Sequence, residues 1–172
     1  RAHYKLPPNK YGMQIYRDEK NTATVDTFFK EWCYNSACNL EISKTLPALR
    51  ELYDGLPWND MPVLVVAAGP SFYRSIELIK EAQEKGFKIV AVDRIFNDLK
   101  ENGIKPDITF TMDSQEIVCD FFDEKNIEEE DVFAINITSS PKLFEKLSKG
   151  KIYIYGTINP YGALDDNLHV PH

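Results

Sequence analysis

The chain of 172 residues is 43% hydrophobic and 27% charged, with a formal net charge of −7. Such a composition suits one globular domain that buries about two-thirds of its unfolded surface, and no apolar run nears the roughly 20 residues of a membrane span. Scattered Lys and Arg residues argue against a nucleic-acid surface, while three Cys without a CxxC pair and only three His argue against zinc.

The chain opens RAHYKLPPNK, without an initiator Met or an apolar signal core, as expected of a segment from inside a longer protein. The odd count of Cys33, Cys38 and Cys119 fits a reducing, cytoplasmic setting, with Cys33 and Cys38 expected as buried thiols rather than as a pair. Residues 1–20 read as a polar arm, with a short strand over 11–16. Val25, Phe28, Phe29 and Trp32 recur at helical spacing from Thr22, capped by Asn21 or Thr22. A second helical stretch runs from Asn39 to Tyr53, where Pro47 divides it into shorter pieces. The spacing therefore predicts an N-terminal arm and helical cap over 1–57, packed on a main domain over 58–172.

The main domain begins at Met61–Ser71, MPVLVVAAGPS. An apolar run that stops at turn residues reads as a strand buried on both faces, and Phe72–Lys85 continues with helical spacing. A strand, a tight Gly turn and a helix aim free backbone N–H groups at an anion. Gly69 lets a ligand approach, Pro70 suits a first helical turn, and Ser71 offers a cap or a hydroxyl. Further strands are expected at Lys88–Asp93, Ile108–Met112, Asp131–Ile137 and Lys151–Tyr155, with helical stretches between them. Alternation at this spacing makes βαβ units, hence an α/β, doubly wound, mostly parallel five-stranded Rossmann-like sheet, with strand order 3-2-1-4-5 expected. The tail from Asn159 does not read as a sixth strand, so the C-terminal part of the domain is expected to be missing.

Ligands of open α/β sheets bind at the carboxyl ends of the strands. Here those ends carry Gly69, Pro70 and Ser71, then Asp93, then Asp113, Ser114 and Gln115, then Asn136, Thr138 and Ser139, and finally Thr157 and Asn159. All are polar or turn residues, although the strands that lead to them are apolar. AAGPS is not GxGxxG, which argues against NAD. Asp113 is the candidate for chemistry, either binding Mg²⁺ together with substrate phosphates or orienting and deprotonating an acceptor hydroxyl. Asp93 and Asp113 as helix caps are the plainer alternative. Ser71 as a nucleophile lacks the GxSxG surroundings, and Glu128–Glu129–Glu130 reads as a solvated loop.

VVAAGPS, AVD and NGIKPDITFTMD together resemble the 6-hydroxymethylpterin diphosphokinase MptE-like family. That family also takes in bacterial motility accessory factors implicated in flagellin glycosylation. The resemblance covers roughly Asn39 to Thr157. It implies a Rossmann-like fold related to sialyltransferase-type enzymes, with Gly69–Ser71 at the donor's phosphate and Asp93 and Asp113 in the site. Archaeal diphosphokinases of the family carry two close acidic residues after the third strand, whereas Ser114-Gln115-Glu116 follows Asp113 here. The expectation is therefore a glycosyltransferase-like transferase that uses a nucleotide-activated donor and a protein or glycan acceptor. A Mg²⁺-dependent 6-hydroxymethyl-7,8-dihydropterin diphosphokinase and a non-catalytic nucleotide-binding or assembly module are the alternatives.

Overall fold

The computed structural model describes residues 4–5, 16–17, 19–58 and 60–156. Strands β1 (Tyr4–Lys5) and β2 (Tyr16–Arg17) pair antiparallel; the rest of the strand expected over 11–16, the tail from Asn159 and Thr157 lie outside the described residues. Helix α1 (Glu19–Ser43) begins before Thr22 and runs unbroken through the Cys33–Asn39 segment, so the first predicted helix is longer than its apolar spacing suggested. It stops ahead of Pro47, and α2 (Leu49–Gly55) follows as the separate shorter piece. Two thiols differ from expectation: Cys38 is exposed and Cys33 is only partly buried, as is Cys119.

The main sheet comprises β3 (Val63–Val66), β4 (Lys88–Val92), β5 (Ile108–Thr111), β6 (Val132–Asn136) and β7 (Lys151–Tyr155). Between them run α3 (Phe72–Glu84), a 3₁₀ turn at Asp93–Ile95 leading into α4 (Phe96–Glu101), 3₁₀ turns at Glu116–Phe121 and Glu124–Asn126, and α5 (Pro141–Lys146). All four strand pairings are parallel, as the βαβ alternation requires. The expected order 3-2-1-4-5 is not found: the strands lie side by side in chain order, β3-β4-β5-β6-β7. Each connection crosses only to the next strand, so the described strands contain no reversal of order, and right-handed crossovers in one direction gather on one face.

The packing follows from that order. Leu64, Val66, Ile89 and Ala91 point to the face where Phe72 and Ile79 of α3 and Leu99 of α4 cover them. Phe133, Ile135, Ile152 and Ile154 point the same way, against Val118, Phe122, Leu143, Phe144 and Leu147. Phe96, Phe122 and Phe133 meet at centroid separations of 5.2, 5.5 and 5.7 Å, which joins the two ends of this layer. On the opposite face Val63 and Val65 are 46% and 69% exposed, so the first strand is buried on one side only. The N-terminal segment fastens to the far edge: Ile154 N donates to the Pro47 carbonyl at 2.9 Å, and Ala48 bridges to Ile154 in parallel.

The GIKPD stretch is explained by structure alone. Gly103, at φ 73°, ends α4 in the left-handed conformation. Pro106 is buried, and the Asp107 carboxylate accepts from Ile89 N and Lys88 Nζ, both at 2.8 Å. This clamp ties the start of β5 to the start of β4, at the sheet edge opposite the strand ends that carry the candidate site.

Gly150, just before β7, leaves no room for a side chain, because a Cβ there would stand 2.6 Å from Phe133 Cε2 and 2.9 Å from the Asp131 carbonyl. Phe133 is fully buried and cannot give way. Gly150→Ala should therefore cost about 1–3 kcal/mol, seen as a lower urea midpoint at an unchanged slope.

Candidate functional site

Parallel strands in sequential order bring five carboxyl ends to one edge, spaced about 4.8 Å apart. At the first end the chain turns through Gly69, whose N–H donates to the Ala67 carbonyl at 2.9 Å, and Phe72 N then donates to the Gly69 carbonyl at 2.9 Å. Pro70 stands in this turn rather than in the first turn of α3, and Ser71 is the residue before the helix, without a side-chain cap. Pro70 and Ser71 are exposed and Gly69 is partly so. A Cβ on Gly69 would meet only Ser71 Oγ, at 3.8 Å, so nothing in the described protein requires glycine there. The N-terminus of the 13-residue helix α3 faces the same edge and carries its positive dipole end.

Asp93 and Asp113 end neighbouring strands. Asp93 Oδ1 accepts from Arg94 N at 2.7 Å, which starts the 3₁₀ turn, and Asp113 Oδ1 accepts from Gln115 N at 3.0 Å. Each thus spends one oxygen on a local turn, but neither caps a helix as the plainer alternative expected: Val92 and Gln115 precede the two 3₁₀ turns, and neither turn has a side-chain cap. Burial raises the Asp93 pKa above the ordinary carboxylate range, and the Asp113 charge adds to this; the Thr111 hydroxyl, the Arg94 N–H and the Arg94 charge oppose it. Thr111 Oγ1 comes close enough to be felt by Asp93 but makes no hydrogen bond of proper geometry.

The last two strand ends are more buried. Asn136 Oδ1 accepts from Thr138 N at 3.0 Å and Thr138 Oγ1 at 2.8 Å. This fixes the amide so that its Nδ2 has no well-formed bond among the described residues, and Thr111 Oγ1, Ser139 Oγ and Ser140 Oγ share that condition. A buried polar atom left unpaired costs about 1–3 kcal/mol; two of the four end β5 and β6, and two lie in the loop after β6. Tyr155 completes the group. Its hydroxyl donates to the Thr111 carbonyl at 3.2 Å, and its ring packs edge-on to Phe110 at 5.8 Å. Burial pushes the Tyr155 pKa up to about 12, with Asn136 lowering it and the Asp93 charge raising it.

The structure therefore gathers Asp93, Thr111, Asp113, Asn136 and Tyr155 into one cluster. Gly69, Pro70 and Ser71 lie on the neighbouring strand end, roughly 10 Å along the edge from the end that bears Asp113. Gln115 is exposed and Thr138 half-buried, whereas the Ser114 and Ser139 side chains are buried in the protein. Thr111, Ser140 and Tyr155 went unnoticed in the sequence. Tyr155 is the last residue of its strand, a signal that was there to be read, while Thr111 looked like an ordinary strand residue. Among the described residues no group of three or more His, Cys, Asp and Glu could hold a metal ion. Two carboxylates with substrate phosphates can still complete a Mg²⁺ shell, so Asp93 and Asp113 would be the protein's contribution.

This arrangement defines a Rossmann-like α/β domain with a mixed acidic and neutral polar site at the carboxyl edge of a parallel sheet. The chain belongs to the 6-hydroxymethylpterin diphosphokinase MptE-like family, whose model matches residues 30–170. No curated protein matches the chain. A Maf glycosyltransferase from Magnetospirillum magneticum AMB-1 is similar in structure, with a TM-score of 0.48 and 20% identity over 59% of this chain. That alignment spans 16% of the solved protein. No helix among the described residues is long and apolar enough to cross a membrane.

Two outcomes test this geometry. The native Asp93 carboxyl holds its proton more tightly than the same group in the unfolded chain. Its ionisation therefore costs stability as pH rises from the ordinary carboxylate range through the raised value. Asp93→Asn should melt a few degrees higher than wild type at neutral pH, the gap closing on acidification, in melting curves taken across that range. Gly69→Ala should leave stability within about 0.5 kcal/mol of wild type, since its Cβ would make only an ordinary contact, 3.8 Å from Ser71 Oγ.

Proposed function

We propose that this chain is the donor-binding domain of a transferase, with a nucleotide-activated, phosphate-containing donor across the carboxyl edge of the sheet. The observation that carries the reading is the pairing of an exposed Gly69–Ser71 turn, at the positive end of α3, with a half-buried acid on the adjoining strands. A phosphate at the turn would take the Ser71 N–H and hydroxyl, because the Gly69 and Phe72 N–H groups are used within the turn and Pro70 has none. That contact strengthens as negative charge builds on a departing phosphate, which is where such donors act on rate. The acceptor hydroxyl would sit at Asp113, which takes its proton while the acceptor oxygen bonds to the transferred carbon and the bond from that carbon to the phosphate oxygen breaks. Neutral groups at the β6 and β7 ends, Asn136, Thr138 and Tyr155, suit the sugar or nucleoside of a nucleotide sugar. Family membership supports a transferase-like role; a protein or glycan acceptor completes the proposal.

One observation favours a second reading, Mg²⁺-dependent diphosphoryl transfer to a hydroxymethylpterin. The second carboxylate missing after Asp113 is supplied from the neighbouring strand by Asp93, close enough for the two charges to interact. With Mg²⁺ bound, such a pair would help neutralise the phosphates of ATP.

A nucleotide panel separates the two. Cytidine or uridine nucleotides should raise Tm without Mg²⁺, by an amount corresponding to about 2.7 kcal/mol at a hundredfold excess over Kd. A response to ATP only, and only with Mg²⁺, would reverse the ranking. Gly69→Ala should abolish the response. Asp113→Asn should keep it while lowering turnover about 10²–10⁴-fold.

A further inference from the structure

Two asparagines of α1 have no part in the transfer described above, yet they are among the most buried polar groups of the protein. Asn35 and Asn39 are 4% and 1% exposed and stand one helical turn apart on a single face. Asn35 Nδ2 donates to the Ser114 carbonyl at 2.9 Å and to the Thr138 carbonyl at 3.0 Å. Asn39 Nδ2 donates to the Ile137 and Ser139 carbonyls, each at 2.8 Å. Both hydrogens of each amide are thereby used. Outside the helices and strands, no described main-chain N–H donates to any of these four carbonyls.

The four acceptors belong to the two loops that carry the site, the one after β5 with Asp113 and the one after β6 next to Asn136. The second loop's own bonds run back to Asn136, from Thr138 N, Thr138 Oγ1 and Ser139 N, while the Ser139 and Ser140 hydroxyls find no partner among the described residues. The region matched by the family begins at residue 30, and so takes in both asparagines while leaving the first turns of α1 outside. From these observations we infer that Asn35 and Asn39 are positioning residues of the site. Their amides hold the loop after β5 against the loop after β6 and so set the placement of Asp113 relative to Asn136. Helix α1 is a working wall of the site rather than a cover laid over a finished domain. Only the ligand arm of the test rests on the proposed function.

Asn35→Leu and Asn39→Leu remove the donors at similar volume. In hydrogen exchange, peptides covering 112–116 and 137–140 should exchange at least about tenfold faster than in wild type, while the strand peptides 88–92 and 132–136 keep their protection. Gln83→Leu is the control, since Gln83 makes a similar two-way clamp with the main chain of Lys105 (Nε2 to carbonyl 2.6 Å, N to Oε1 3.2 Å) away from the site. It should leave both loops unchanged. Where wild type shows a nucleotide-dependent Tm shift, the Asn variants should lose it and Gln83→Leu should retain it. Unchanged loop exchange, or an increase spread evenly over loops and strands, overturns the inference. A wild type that answers no nucleotide defeats the donor reading alone, because loop exchange still decides the clamp. Should the Leu variants fail to fold, Asn35→Asp and Asn39→Asp keep the shape and lose the paired donors, and the same exchange pattern decides.

Discussion

The structure depends on five strands pairing in parallel in the order in which they are made. A parallel ladder forces every strand to begin at one edge and finish at the other. Apolar side chains from alternate positions then share one face, where the crossover helices cover them, and whatever follows each strand is delivered to the same rim. The two edges are accordingly different in chemistry. The starting edge is held by a closed clamp, with the Asp107 carboxylate satisfied by Lys88 and Ile89 N. The finishing edge carries acids, amides and hydroxyls, several of which have no partner among the described residues.

That contrast runs through the polar interactions of the whole domain. Away from the rim, buried charge is paired and hydrogen-bonded: Asp131, 2% exposed, takes Lys100 Nζ at 3.0 Å and Glu128 N at 2.8 Å. Glu128 pairs with the largely buried Lys100, whereas Glu130 pairs with Lys105 at the surface, where such a pair contributes little. At the rim, Asp93 is half-buried beside a second carboxylate, and four buried polar atoms of the strand ends and the loop after β6 lack good partners among the described residues. Polar groups kept at a cost in stability next to an exposed turn and a helix N-terminus are a pattern common at functional sites.

Helix α1 changes how the N-terminal segment is understood. From its aromatic spacing it looked like a cover packed through Phe28, Phe29 and Trp32. Phe28 and Trp32 do stack, at 6.3 Å, but Asn35 and Asn39 join α1 to the strand-end loops by hydrogen bonds. Asparagine in a helical stretch ordinarily signals a cap or a solvated face. The CYNSACN segment therefore carried no recognisable sign that these two amides point inward.

The sequence by itself determined the elements. Apolar runs that stop at Gly, Pro or Asp define the strands, and turn residues such as Gly86 and Gly103, both at positive φ, close the helices, because both signals are local and act within a few residues. The polar identity of the strand ends was legible for the same reason, and with it Asp93, Asp113 and Asn136. Tertiary structure alone decided the order of the strands, since short βαβ connections permit several orders and the choice depends on which faces pack together. It alone also brought Asp93, Tyr155 and the two asparagines of α1 to one rim, because a hydrogen bond across 98 to 103 residues, such as those from Asn39 and Asn35, leaves no trace in the spacing of the chain.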